Sequence, residues 1–334
     1  MYTGLDSFYF KKYRIKLIVK TPMPLRAFKG SAFRGGLGEA FKKVVCALRN
    51  TPCESCLLKN TCLFTQVFIS LRNTNDKTLN TSHQPHPFVL TVQDGMHDLY
   101  QPGDVFFLDL LLIGKGEAYL PHFILAITLM GQRGVGPKRA KFDVEEVLST
   151  ASGSDVLIYK NYEMIGSGER WTLSEKSIAG DLSVKGLVLR FKTPTKIKSG
   201  GQYVSKRIEF HYLIRALLRR LSSLSQLYCG IDADWNFKEL IKMAEGVQLV
   251  ETDCVWSDLF PRKNRSADGW MTIGGLVGAA RYHGDITPFL EILLLGEYLG
   301  VGKNINFGCG RYEISEPKMN RQNSDPTVLL ERSA

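Results

Sequence analysis

Two short motifs occur twice in this chain, in the same order and at nearly the same separation. Lys20-Thr21-Pro22 returns as Lys192-Thr193-Pro194, 172 positions on. Gly134-Val135-Gly136, with Lys138 two residues later, returns as Gly300-Val301-Gly302-Lys303, 166 positions on. Each Lys-Thr-Pro closes a β-type run and is followed by a basic loop and a helical pattern. Each Gly-Val-Gly follows an apolar helix and precedes a short strand. One folding unit used twice accounts for both order and spacing. Chance recurrence of Gly and Pro turn motifs is the competing account. The length of 334 residues fits two domains of ordinary size.

The first unit reads strand 13–20, helix 32–49, an irregular stretch 50–86, strand 88–93, strand 104–113, helix 120–131 and strand 140–147. The second reads strand 185–193, helices 204–225 and 235–244, strands 247–257 and 270–282, helix 286–298 and strand 305–314. Both follow the β-α-β-β-α-β order of a ferredoxin-like domain. The expected fold class is therefore α+β, with two tandem ferredoxin-like domains. Their expected bounds are 1–148, with a Cys-rich insertion at 46–86, and 185–314. Residues 149–184 form a connector carrying a hairpin, and 315–334 a polar tail. In this topology the loop after strand one, the hairpin between strands two and three, and the loop before strand four share one edge. In the second unit that edge gathers Lys196 and Lys198, then Arg262, Lys263 and Arg265, then Lys303. In the first it gathers Arg26, Lys29, His97, Lys138 and Arg139.

Charge points the same way. The chain carries a net charge of +10, and residues 185 to 220 hold ten basic side chains against one acid, Glu209. Lys206, Arg207, Arg215, Arg219 and Arg220 stand in this block. Focused positive charge is the footprint of a nucleic-acid binder; a solvated helix face is the plainer reading. The glycines from Gly296 to Gly310, Gly300 and Gly302 among them, allow backbone turns whose N–H groups receive anions. No apolar run approaches the ~18 residues of a membrane span. Residues 1–20 lack the order of a secretion signal. The scatter of three of the seven cysteines points to a reducing, cytoplasmic compartment. The other four, Cys46, Cys53, Cys56 and Cys62, are spaced C-x6-C-x2-C-x5-C. Four thiolates around a C-x2-C knuckle suit structural zinc, with an iron–sulfur cluster as the alternative. So closed a site offers no open position for catalysis.

Several segments, in order, resemble one family: Phe33-Arg34-Gly35-Gly36-Leu37-Gly38, Pro87-Phe88-Val89-Leu90, Pro194-Thr195-Lys196, Leu217-Leu218-Arg219-Arg220-Leu221, Gly274-Gly275-Leu276-Val277-Gly278, and Val301-Gly302-Lys303 through Phe307-Gly308-Cys309-Gly310-Arg311-Tyr312. The chain is similar to the RAMP-superfamily CRISPR repeat-processing endoribonucleases, the sixth family of Cas proteins. The resemblance covers roughly residues 30 to 314 and is more specific in the C-terminal half. It implies tandem ferredoxin-like domains, a glycine-rich loop that grips RNA, and cleavage of precursor CRISPR RNA within the repeat without a catalytic metal. Its partners would be repeat RNA, or mature crRNA, and other Cas effector subunits. Two departures stand out. Gly300 occupies a position where relatives carry His, and Arg262 to Ala267 alters a characteristic basic segment. A non-catalytic crRNA-binding subunit is therefore the alternative function.

Metal-free RNA cleavage uses the adjacent 2′-OH as nucleophile and leaves a 2′,3′-cyclic phosphate. It needs a general base, a general acid and a cation near the phosphate, and histidine suits proton transfer near neutrality. By topology His83, His86, His122 and His283 fall on edges away from the basic loops, leaving His97 and His211. His211, next to the basic block, is the expected acid or base, with Tyr203 and Lys206 beside it and Lys303 holding the phosphate. Arg34 reads equally as a salt-bridge partner or an RNA contact.

Overall fold

The computed structural model describes residues 4–25, 29–69, 84–92, 98–151, 153–173, 184–263 and 270–315, with side chains described except at 259–263 and 270–272. The first domain is built on β1 (Tyr9–Val19). From Tyr13 to Leu17 apolar and basic residues alternate, so Tyr13, Ile15 and Leu17, with Val19 beyond them, enter the core while Arg14 and Lys16 take the other face. Those two meet acids on their neighbours: Arg14 lies 3.1 Å from Asp109 and Lys16 3.7 Å from Glu146.

After β1 come β2 (Met23–Pro24), α1 (Gly30–Val45), α2 (Leu63–Phe68), β3 (Phe88–Val92), β4 (Leu99–Tyr100), β5 (Val105–Ile113), α3 (Leu120–Arg133) and β6 (Phe142–Ser149). The sheet runs β3-β5-β1-β6, all antiparallel, and β2 pairs with β4 outside it. This is the ferredoxin-like strand order. Phe33, Leu37 and Phe41 of α1 and Phe123, Ile127 and Met130 of α3 fill its core. The connector adds strands instead of standing apart. β7 (Val156–Lys160) and β8 (Glu163–Met164) extend the sheet beyond β6, and β9 (Trp171–Thr172) pairs with β1.

The second domain comprises β10 (Gly186–Thr195), β11 (Lys198–Ser199), β12 (Gln202–Tyr203), α4 (Phe210–Leu224), α5 (Phe237–Glu245), β13 (Gln248–Thr252), β14 (Val255–Lys263), β15 (Trp270–His283), α6 (Leu290–Leu299) and β16 (Tyr312–Ser315). Its sheet repeats the order, β13-β15-β10-β16, with β14 also paired to β15. α4 buries Leu213, Leu217 and Leu221 against this sheet and α6, leaving Arg215 and Arg219 on its other side.

The duplication reaches individual hydrogen bonds. The Lys20 N–H donates to the Lys141 carbonyl, and the Lys192 N–H to that of Arg311, both at 2.9 Å. The Lys141 N–H donates to Thr21 Oγ1 at 2.8 Å, and the Arg311 N–H to Thr193 Oγ1 at 2.9 Å. Lys20 pairs with Asp143 and Lys192 with Glu313. The two Lys-Thr-Pro motifs thus perform one task, clamping strand one to strand four.

Three elements differ from expectation. The helix expected from 204 starts at Phe210, because Gly200 and Gly201 turn the chain into the β11–β12 hairpin first. The strand expected over 247–257 breaks at Asp253, whose carboxylate leaves the ladder to accept the Ala279 N–H. The last strand begins at Tyr312, because residues 305–307 form a single helical turn.

The domains meet through apolar surface. Leu5, Phe8, Phe10, Ile113 and Trp171 of the first domain share one core with the second. Phe10 stacks on Trp171 at 4.7 Å, and Tyr298 of α6 closes on both rings. Tyr228 donates its hydroxyl hydrogen to the Pro85 carbonyl at 2.9 Å. No described helix is long and apolar enough to cross a membrane.

Candidate nucleic-acid interface

The Gly-rich loop after α6 is fixed by the loop after β10. The Lys303 N–H donates to the Lys196 carbonyl at 2.9 Å, and the Gly310 N–H to that of Pro194 at 3.1 Å. Gly302 sits at φ +91, and a Cβ there would lie 2.5 Å from the Lys196 oxygen. Glycine is thus required for chain-on-chain approach, which brings Lys303 beside Lys196. Gly300 has φ +73, and its Cβ would come 3.2 Å from Ile305. A histidine at that position would need a strained backbone.

These loops form one wall of a groove of about 360 Å³, lined by Lys196, Lys198 and Lys303 with Asn304 and Asn306. Arg215, Arg219 and Arg220 of α4 form another, and Gln84, Pro85 and His86 of the first domain complete it. Among the described residues, six cations and no carboxylate line the groove, so its field favours an anion. Arg220 is half-exposed by area, but its guanidinium is enclosed. Its Nε donates to the Leu299 carbonyl at 3.0 Å, while Nη2 is buried with no partner among the described residues. Burial pushes this guanidinium down to about 10, so it keeps its charge at neutral pH.

Of the residues expected at the site, Lys196, Lys198, Lys303 and Gly302 come together here. Tyr203 stands alongside, under Lys196 Nζ at 4.2 Å. His211 is on α4 at the four-residue spacing of Arg215 and Arg219, one turn beyond the groove, against the Tyr212 ring. Lys206 is exposed ahead of α4 and does not line the groove. Arg207 is committed to Glu209 and the Leu249 carbonyl. Arg262 and Lys263 lie on β14 opposite Met271 and Trp270, their side chains outside the described residues. Arg26, His83, His97 and Arg265 also lie outside them.

Two expectations are corrected. His86 is not remote: it lines the groove and stacks on Phe88 with ring centroids 5.8 Å apart. Edge-counting treated each unit alone, whereas docking of the domains brings the residues before β3 against the Lys196 loop. Arg34 does not line this groove. Its guanidinium lies over the Phe68 ring at 4.5 Å, a cation–π contact. Arg139 lines a separate cleft of about 660 Å³ with Arg34, Lys42 and Arg133, and Lys138 is exposed on the same turn. Lys138 and Arg139 of the first unit's basic edge therefore do not line the groove. Arg215, Arg219 and Arg220, missed as site residues, carried a usable signal in their placement on one helix after the Lys196 loop.

The cysteines stand at consecutive turns: Cys46 after α1, Cys53 and Cys56 at the ends of one short turn, and Cys62 ahead of α2. All four are half-buried free thiols. Among the described residues, no three or more His, Cys, Asp or Glu are grouped to hold a metal ion; four thiols suit zinc in kind.

Known proteins answer to this geometry. The family model of the CRISPR-associated endoribonuclease Cas6 matches residues 189–312, from β10 to the start of β16 and across the groove's basic walls. The C-terminal domain is thus similar in sequence to that family. A second family model, described as an N-terminal domain, matches residues 8–170. An uncharacterized protein of Archaeoglobus fulgidus is 24% identical over 316 residues, covering 92% of this chain and 99% of its own. The Cas6 of Thermus thermophilus superposes with a TM-score of 0.53 at 14% identity, covering 92% of this chain and 99% of that one. A chain of a partial Cas6-RT-Cas1–Cas2 complex gives a TM-score of 0.56 at 10% identity, covering 93% of this chain and 47% of that one. At such identities these structures bear out the fold. The match to the Cas6 model and the groove's six cations fall on the same segment of chain.

Proposed function

We propose that this chain binds CRISPR repeat RNA in the groove between its domains and cleaves it within the repeat without a catalytic metal. One observation carries the reading: a groove with six cations and no carboxylate among the described residues, built on the loops of a domain that matches the Cas6 model. In the reaction proposed, the 2′-oxygen attacks the neighbouring phosphorus as a base takes its proton. The bond from phosphorus to the 5′-oxygen breaks, and an acid protonates that oxygen. The products are a 2′,3′-cyclic phosphate and a 5′-hydroxyl. Lys303 and Arg219 are assigned to the phosphate charge. His86 takes the proton-transfer role, because it lines the groove while His211 stands a turn outside. His211 and Tyr203 are the competing candidates.

The protein incubated with its own repeat RNA in EDTA should give a single cut ending in a cyclic phosphate. General acid–base catalysis contributes roughly 10²–10⁴-fold, so His86→Ala should slow the cut by that order while His211→Ala leaves it nearly unchanged. The reverse pattern would move the role to His211. A second reading, a non-catalytic crRNA-binding subunit, is favoured by Gly300, whose φ of +73 a histidine would adopt only with backbone strain. Tight binding of repeat RNA with no cut, in EDTA or magnesium, would establish it. Association with other Cas proteins belongs to this proposal, since one structural relative stands in a complex named for Cas1 and Cas2. Structural zinc on Cys46, Cys53, Cys56 and Cys62 is also proposed, on their spacing.

A further inference from the structure

We infer that Trp256 and Tyr203, with Lys196 between them, form a stacking subsite for one unpaired base of the RNA at the end of the groove. The inference rests on the RNA reading above and adds the part of the ligand recognised. Trp256 is 37% exposed and Tyr203 46% exposed, on neighbouring elements of the second domain. The Trp256 ring is held by a hydrogen bond and Tyr203 by its place on a hairpin. Trp256 and Asp258 share one face of β14, and Trp256 Nε1 donates to Asp258 Oδ1 at 2.8 Å. Tyr203 is held on the β11–β12 hairpin, opposite Lys198.

Lys196 Nζ lies 4.2 Å from the Tyr203 ring centroid and 5.7 Å from that of Trp256, and Lys198 Nζ lies 5.6 Å from Tyr203. The same two lysines line the groove. A strand tracking the groove by its phosphates would thus reach two rigid aromatic faces beside its last cations. Asp258 repels a phosphate there and leaves the rings to a base. A paired base within a duplex already has both faces covered, so only an unpaired or terminal base can stack. The subsite therefore reads a single-stranded part of the repeat.

The test is equilibrium binding of repeat RNA by the full chain and its variants at several salt concentrations. Stacking on an aromatic side chain predicts that Trp256→Ala weakens binding about 5- to 100-fold. The slope of affinity against salt should stay unchanged, because no cation is lost, and Trp256→Phe should recover most of the affinity. A repeat RNA with one abasic site, walked along the sequence, should at one position bind wild type and Trp256→Ala alike. If wild type binds the RNA and Trp256→Ala and Tyr203→Ala bind as tightly, the subsite is overturned and the groove stands. If wild type does not bind its repeat RNA, the RNA reading itself falls.

Discussion

Gly302 and Lys303 separate two duties within one loop. An alanine at Gly302 would have to adopt φ +91 and push its methyl group against the Lys196 carbonyl. The left-handed backbone alone costs about 1–2 kcal/mol, so Gly302→Ala should lower stability in urea denaturation by at least that much. Lys303 is exposed and pairs with no acid among the described residues, so Lys303→Ala should change stability by less than about 0.5 kcal/mol. It should instead weaken RNA binding and flatten the log–log salt slope by about 0.7, the loss of one phosphate contact to a single strand. An unchanged slope would place the RNA path elsewhere. The lysine was legible as a charge in a glycine loop. The reason for the glycine was not, because it lies in a carbonyl more than 100 positions away.

Among the elements, the connector is the least expected, since its strands extend the first sheet. An ion cluster ties it down. Arg170, from the connector, bonds both carboxylate oxygens of Glu117, and Lys11 of β1 lies 3.5 Å away. The Arg170 hydrogen bond, helped by the charge of Lys11, holds the Glu117 carboxyl below its usual range. A carboxyl with a depressed folded-state pKa adds stability above its unfolded value of about 4.3, and that stability is lost as pH falls through the folded value. Glu117→Gln should therefore lower Tm at pH 7, and the gap from wild type should close in acid, below about pH 4. A constant gap would show a packing effect instead. The cysteine insertion is tested by elemental analysis of protein purified without added metal. The proposal expects close to one zinc per chain. Neither zinc nor iron would leave the four cysteines as ordinary turn and cap residues.

At the scale of the whole molecule, the groove exists only because the two domains are locked together. Phe10 is fully buried between Trp171 and Tyr298, in the core that both domains share. Phe10→Ala should cost about 3–5 kcal/mol. Calorimetry should still show one transition for both domains, moved to lower temperature. Two separated transitions would mean that each domain folds alone and the groove forms by loose docking.

What the amino-acid order determined was local and repeated. Alternation in β1 and the four-residue spacing in α4 fix which faces are buried, and the recurrence of Lys-Thr-Pro and Gly-Val-Gly fixes two copies of one unit. Those signals act over one or two turns, or within one strand, and survive reading in isolation. The neighbours across the groove depend on rigid-body docking, which no local pattern encodes. His86 and Arg139 show the difference. Topology within a unit sent the first away from the site and the second toward it. Packing of Phe10, Trp171 and Tyr298 did the reverse, because apolar contact between the domains decides which loops face one another.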